Sequence, residues 1–279
     1  PLGEGGLGAI EGLLDSSVVD FALFSGRCAD PAGVESAMLA CRARGIEVWL
    51  MSDMESPELA FSRVDFLGDI PVMVLPAAPR SGPALLAKRI IDAALSVALL
   101  LLLAPLLAAL GAFVRLSGPG PILFRQRRIG LNGRPFTLFK FRTMKDGDTA
   151  KDLTLRNEMS GPVFKMREDP RVTPAGRLMR RYSLDELPQL WNVLVGEMSL
   201  VGPRPPLPSE VERYEVWHRR RLSMRPGITG LWQVMGRNDI PHFNDWVKLD
   251  LGYLDSWSLW LDLKIILKTI PVVLQGTGL

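Results

Sequence analysis

Apolar and polar positions alternate in three regimes along the chain. Residues 17–24 form a mostly apolar run that reads as a buried strand. In residues 31–44, Val34, Met38, Leu39 and Cys41 recur at helical spacing. Ile46 to Met51 is a second apolar run, so the order strand–helix–strand predicts a βαβ unit with a parallel sheet. Residues 68–75 add a short strand. This stretch has no Gly-x-Gly-x-x-Gly phosphate loop, so dinucleotide binding has no support in it. The Pro- and Gly-rich run from Pro76 to Pro83 marks a module boundary.

The second regime is continuous. From Ala93 to Val114 there are 22 residues without a charge, long enough for a bilayer, which needs about 20. Pro105 lies near the centre, where it removes a helix hydrogen bond and kinks the helix. Both flanks are basic, with Lys88 and Arg89 before and Arg115, Arg125, Arg127 and Arg128 after. Basic flanks mark the cytoplasmic side. A segment that enters, bends at Pro105 and returns satisfies both flanks; a kinked spanning helix is the alternative.

The third regime mixes short elements. Two apolar-and-basic runs, Pro121–Arg125 and Arg134–Arg142, flank Asn132-Gly133, a hairpin signal. Lys140 and Arg142 are two apart and are expected on one strand face, as a solvated edge or a phosphate-binding pair. Residues 209–224 read as one basic helix, and residues 257–270 as an amphipathic helix. Trp246, Trp257 and Trp260 suit either a headgroup interface or a core.

Charge sharpens the modular picture. Residues 1–80 hold 12 acidic and 5 basic side chains, whereas residues 81–279 hold 18 acidic and 28 basic ones. The second module therefore suits an anionic partner: nucleic acid, lipid headgroups or a phosphorylated substrate. Cys28 and Cys41 have no metal-ligand spacing and fit a reducing compartment. The opening residues lack an initiator Met and a basic signal region, so a longer natural protein is expected.

The chemistry concentrates in Ser183-Leu-Asp185-Glu186-Leu-Pro-Gln189-Leu-Trp191-Asn192. Ser183 and Glu186 have capping-box spacing, which predicts a helix start with acids complementing its dipole. The adjacent acids, preceded by Arg180 and Arg181, also form a group able to attack phosphorus beside Mg²⁺. In Gly202-Pro203-Arg204-Pro205, the rigid backbone presents Arg204 as a phosphate ligand or a structural ion pair.

Together these motifs resemble the bacterial sugar transferases, the monotopic polyprenyl-phosphate phosphoglycosyl transferases. The resemblance runs from about Lys88 to the C-terminus. It includes Lys88-Arg89-x-x-Asp92, Phe139–Met144, Asp169-Pro-Arg-Val-Thr173, Ser183–Asn192, Met198–Pro205, Arg225–Gly230 and Trp257–Asp262. It implies an α+β fold: a mainly helical monotopic membrane domain, residues 81–279, with a Pro-kinked re-entrant helix over about 85–115 and a small β-hairpin. Residues 1–80 resemble the later half of a Rossmann-like, CoA-binding-like domain.

The resemblance further implies that Asp185 attacks the β-phosphorus of a UDP-sugar and releases UMP. Undecaprenyl phosphate then takes the sugar phosphate, the first membrane step of exopolysaccharide, O-antigen or capsule synthesis. Asp169 and Glu186 join Asp185 around Mg²⁺, and Glu186 holds the metal or acts catalytically on the acceptor's proton. Arg204, Lys140, Arg142 and Arg181 bind phosphate; Ser96 and Pro105 set the re-entrant geometry; Gly236, Arg237 and Asn238 border the sugar, for which a hexose is expected. The implied location is the cytoplasmic face of the bacterial inner membrane, with membrane lipids and a second copy of the chain as partners and no nucleic acid. A non-catalytic scaffold of polysaccharide assembly and a UDP-releasing glycosyltransferase are the competing readings.

Overall fold

The computed structural model describes residues 7–25, 31–51, 63–67, 70–75, 82–145, 161–163, 166, 169–236, 240 and 242–276. Cys28, Arg237, Asn238 and most of the expected linker lie outside these residues.

The first module opens with helix α1 (Leu7–Ser16), then β1 (Phe21–Ser25), α2 (Pro31–Ala43), β2 (Glu47–Met51), β3 (Arg63–Leu67) and β4 (Ile70–Leu75). The β1–α2–β2 crossover pairs its strands in parallel, as the hydrophobic pattern predicts. The sheet is nevertheless mixed. Its order is β1-β2-β4-β3, and β4 runs antiparallel to both β2 and β3. The strand expected over 68–75 is β4; its hairpin partner β3 is too short and too polar to stand out in the sequence. Val34, Met38, Cys41 and Val48 form the core of this module. Burial pushes the Cys41 thiol up to about 11, which makes it unreactive.

The second module begins with α3 (Gly82–Leu102) and α4 (Ala104–Leu116), bent 64° apart at Leu103. Pro105 stands in the first turn of α4, where a missing N–H costs nothing to α4 but ends the hydrogen-bond ladder of α3. No single helix among the described residues is long and apolar enough to cross a membrane; the bent pair passes that test together. The polar residues of α3 point inward. Lys88, Asp92 and Ser96, one helical stripe, are buried, while Leu86, Ile90, Leu101 and Leu102 are more than half exposed.

Strands β5 (Leu123–Ile129) and β6 (Pro135–Phe141) form the expected hairpin. Asn132 and Gly133 both take positive φ (53° and 79°), the left-handed geometry that a tight hairpin turn needs. Asp20 of the first module accepts from Asn132 Nδ2 at 2.7 Å and pairs with Arg134, tying the hairpin tip to that module.

The chain continues through α5 (Pro174–Arg181), a 3₁₀ turn at 184–186, α6 (Gln189–Val195), β7 (Ser199–Val201) and α7 (Pro208–Val211). After a 3₁₀ segment over 216–223 come β8 (Gly227–Thr229), α8 (Leu231–Val234), α9 (Phe243–Asp255) and α10 (Leu259–Leu274). The single basic helix expected over 209–224 is thus two short pieces. Glu215 is extended (ψ 159°), with its N–H held by His218 Nδ1. Arg221 is buried against Asp250 and Tyr214, so the segment is a packed wall and not a solvated basic face. The last helix forms as predicted, with Ser258 Oγ accepting from Leu261 N at 3.1 Å. The tryptophans divide. Trp246 and Trp257 are core residues, and Trp260 is 61% exposed.

The main core joins Phe136 and Leu138 of β6 to Leu190 and Val193 of α6, Leu200 and Val201 of β7, Tyr253 and Leu254 of α9, and Ile265 of α10. Asn192, fully buried, pins β6 to α6. Its Oδ1 accepts from Phe139 N at 3.2 Å, and its Nδ2 donates to Thr137 O and Glu197 Oε2, each at 2.7 Å. The strand carrying Lys140 is thereby fixed against the segment carrying the acids.

Candidate active site

The acidic pair does not begin a helix through a capping box. Ser183 takes left-handed geometry (φ 54°) and caps nothing with its side chain, and residues 184–186 make one 3₁₀ turn. A serine in that region costs roughly 1 kcal/mol or more, strain of the kind that functional turns store. The reversal directs Asp185 inward, where it is 6% exposed, while Glu186 meets Lys140, Nζ to Oε1, at 2.6 Å. The helix that follows, α6, starts later, at Gln189.

Two cations act on Asp185. Burial raises its carboxyl above the usual carboxylate range and the Glu186 charge adds to that; Lys140 and Arg180 oppose it. Arg180 comes from the last turn of α5 and donates to Thr143 Oγ1 at 3.0 Å. Burial pulls it below the usual arginine range, and Asp185 and Asp169 counter that pull.

The structure divides the arginines expected at the phosphate. Arg181 is exposed and turned over the Tyr182 ring, one helical step from the site, whereas Arg180 is the arginine that acts on Asp185. The packing of α5 sets this choice. Gly176 is four residues before Arg180 and packs against Thr143, where a Cβ would lie 2.1 Å from the carbonyl oxygen; that glycine marks the inward face of α5. Lys140 and Arg142 also part. Arg142 lies just past β6 and donates to the carbonyls of Val114 (3.2 Å), Gly118 (2.8 Å) and Pro119. It closes the C-terminal end of α4, where a cation complements the helix dipole.

Arg204 is partly exposed and pairs with buried Glu210 at 3.2 Å. Beside it, Arg128 donates to Pro205 O at 3.0 Å. Burial lowers the Arg128 guanidinium to about 10, the Arg204 charge adds to that, and Glu210 and Glu186 oppose it. Lys140 and Arg180 thus act on Asp185, Lys140, Arg180 and Arg128 act on Glu186, and Arg204 stands beside Arg128 in its pair with Glu210. Arg128 sits near the end of a strand that also carries Arg125 and Arg127, and nothing in the sequence separates it from them. Gly236 closes α8 at positive φ (131°) next to Ile240. Ser96 is wholly buried in α3, with its hydroxyl unpaired among the described residues, a role in close helix packing.

Adjacent carboxylates offer the hard oxygen ligands that Mg²⁺ takes, commonly one or two from protein with the rest from phosphates and water. No group of three or more His, Cys, Asp or Glu side chains gathers among the described residues; the adjacent Asp185 and Glu186 offer two carboxylates. Asp169 is engaged by Arg171, whose Nε and Nη2 reach its two oxygens at 2.9 and 2.6 Å, and this holds its carboxyl below the usual range.

Residues 83–276 match a protein-family model described as bacterial sugar transferase. The galactosyl transferase CpsE of Streptococcus agalactiae is 50% identical over 196 residues, covering 70% of this chain and 43% of CpsE. The exopolysaccharide production protein ExoY of Rhizobium meliloti is 43% identical over 199 residues, 69% of this chain and 88% of ExoY. The UDP-glucose:undecaprenyl-phosphate glucose-1-phosphate transferase of Escherichia coli is 38% identical over 230 residues, 80% of this chain and 48% of that enzyme. This chain therefore spans less than half the length of two of these three relatives.

Proposed function

From the premise that the chain belongs to the bacterial sugar transferase family, we propose that it moves a hexose 1-phosphate from a UDP-sugar to undecaprenyl phosphate at a membrane surface. The observation that carries the reaction is the buried Asp185 beside Glu186, with Lys140, Arg180 and Arg128 acting on the pair. An Asp185 oxygen attacks the β-phosphorus, the bond from that phosphorus to the bridging oxygen breaks, and UMP leaves with the electron pair. An oxygen of the lipid phosphate then attacks the same phosphorus, and the Asp185 carboxylate is restored. Lys140 holds Glu186 and favours the charged form of Asp185. Arg180 also favours the charged form of Asp185, while Arg204 and Arg128 offset the diphosphate charge. Mg²⁺, held by Asp185 and Glu186, would supply further charge neutralisation.

The membrane reading rests on the inverted helix α3. A surface helix in water hides its apolar stripe; α3 hides Lys88 and Asp92 and exposes leucine. Helix α10 repeats this, with Asp262 buried and Trp260, Leu267, Ile270 and Leu274 more than half exposed. Exposed apolar surface of this extent marks an interaction face. We assign it to one leaflet, entered by the bent pair, with the site on the cytoplasmic side. Pro105→Ala restores one N–H and is expected to relax the 64° bend. Cysteine-accessibility labelling on either side of residues 85–115 reads the result, with the two flanks falling on opposite sides in a larger fraction of molecules than in the wild type. Identical labelling of both proteins would show that Pro105 is not what sets the bend.

Purified protein in detergent, given Mg²⁺, undecaprenyl phosphate and a panel of UDP-sugars, tests the reaction. UMP release sustained only with the lipid supports it; UDP release points to ordinary glycosyl transfer and overturns it. Lys140→Met is expected to lower turnover at neutral pH on the order of 10²-fold, the cost of losing one preorganised charge. Because Lys140 lowers the Asp185 pKa, its removal moves the acidic limb of the pH–rate profile to higher pH. A limb that stays in place would separate Lys140 from Asp185.

A further inference from the structure

A groove of about 510 Å³ lies where the bend between α3 and α4 meets the β5–β6 hairpin. Leu100 and Leu107 stand on either side of the bend, Gly111 is one turn further along, and Phe139, Pro188 and Trp191 complete the wall. No charged side chain among the described residues lines it. Its volume is that of a small-molecule site, but its chemistry suits hydrocarbon alone.

We infer that this groove holds the first isoprene units of the polyprenyl phosphate acceptor. The assignment rests on the proposed function, and three observations place the lipid here. First, β6 serves the groove and the charged site together. By the two-residue alternation of a strand, Phe139 and Phe141 line the groove while Lys140, between them, reaches Glu186. Second, Leu107 and Phe141 pack in one cluster with Leu184 and Leu187, the residues that bracket the acidic pair. An amphiphile with an anionic head and an apolar tail matches this adjacency of cations and hydrocarbon wall; a nucleotide sugar has no part that does. Third, Gly111 has no packing reason to be glycine. A Cβ there would stand 3.7 Å from Ile122 and 4.0 Å from Phe141, ordinary contact, yet mid-helix glycine weakens a helix relative to alanine. The absent side chain leaves room in the groove.

The test uses undecaprenyl phosphate bearing a diazirine in its phosphate-proximal isoprenes, with the wild-type chain in mixed micelles. Crosslinks are expected within residues 122–124, 139–141 and 188–191, competed by unlabelled undecaprenyl phosphate and not by phosphatidylglycerol. Crosslinks confined to α10, or equal competition by phosphatidylglycerol, would overturn the assignment, the second outcome marking a general lipid groove. Gly111→Leu, which fills the space, is expected to raise KM for undecaprenyl phosphate about tenfold with a much smaller change in KM for the UDP-sugar; an unchanged lipid KM counts against the groove. Exchange of labelled UMP into the UDP-sugar without lipid reports the covalent step separately. Its absence from the wild type would sink that mechanism, while the crosslinking result would still decide where the lipid sits.

Discussion

Asp185→Asn is expected to abolish both UMP exchange and sugar-phosphate transfer, by at least about 10³-fold, the scale seen when a covalent nucleophile is removed. Asparagine keeps the shape and loses the attacking oxyanion. Stability should move the other way. The folded state raises the Asp185 carboxyl above its ordinary value, chiefly through burial. A group whose folded pKa exceeds its unfolded pKa binds more protons when folded, so its contribution to stability falls as pH rises through that window. At neutral pH the wild type therefore carries the cost of a buried charge. The Asp185→Asn variant does not, and its thermal midpoint should equal or exceed that of the wild type. An inactive variant that also melts early would mean that the carboxylate is structural. A variant that still exchanges UMP would remove Asp185 from the chemistry.

The site was only partly legible in the sequence, for identifiable reasons. Placement within one contiguous segment was readable: the acids at 185 and 186 lie together at one turn, and the arginine held between prolines at 204 takes the ion-pair reading, with Glu210. Which of two adjacent arginines faces Asp185 was not, because residues 180 and 181 differ by about 100° around α5 and only the packing of Gly176 on Thr143 settles the face. The capping-box spacing at Ser183 and Glu186 misled, because the Glu186 side chain pairs with Lys140, 46 residues away. Arg142 resembled Lys140 in pattern, but the strand ends at Phe141 and the helix terminus beside it takes the guanidinium. The fold follows the same division. Local periodicity predicted the hairpin, the β1–α2–β2 crossover and α10. It missed the antiparallel half of the first sheet and merged α7 with the 3₁₀ segment, where long-range pairing and the burial of Arg221 override propensity.

Sequence pattern also assigned Lys88 to the flank of the hydrophobic segment, a cation at a membrane edge. The structure buries it. Its Nζ lies 2.6 Å from Asp262 of α10 and 3.8 Å from Asp92 of its own helix. Asp262 also accepts from Tyr253 OH at 2.7 Å and Trp257 Nε1 at 3.3 Å, and Asp92 accepts from Ser199 Oγ and Leu200 N. One lysine therefore fastens the bent helix pair to α10, while Asp92 fastens it to β7. Lys88→Ala leaves two carboxylates buried with only neutral donors, and breaking one side of such a pair costs about 3–5 kcal/mol. For a module of this size that is a fall in thermal midpoint on the order of 10 °C, read in detergent at one fixed scan rate. Replacing the pair at both ends, Lys88→Met with Asp262→Leu, should recover much of the loss, because neither charge then needs desolvation. The recovery falls short of complete to the extent that Tyr253 and Trp257 lose their acceptor. If Lys88→Ala melts like the wild type, the lysine is solvated and the inward polar stripe of α3 is not buried. That result would also remove the observation on which the one-leaflet placement of the bent pair rests.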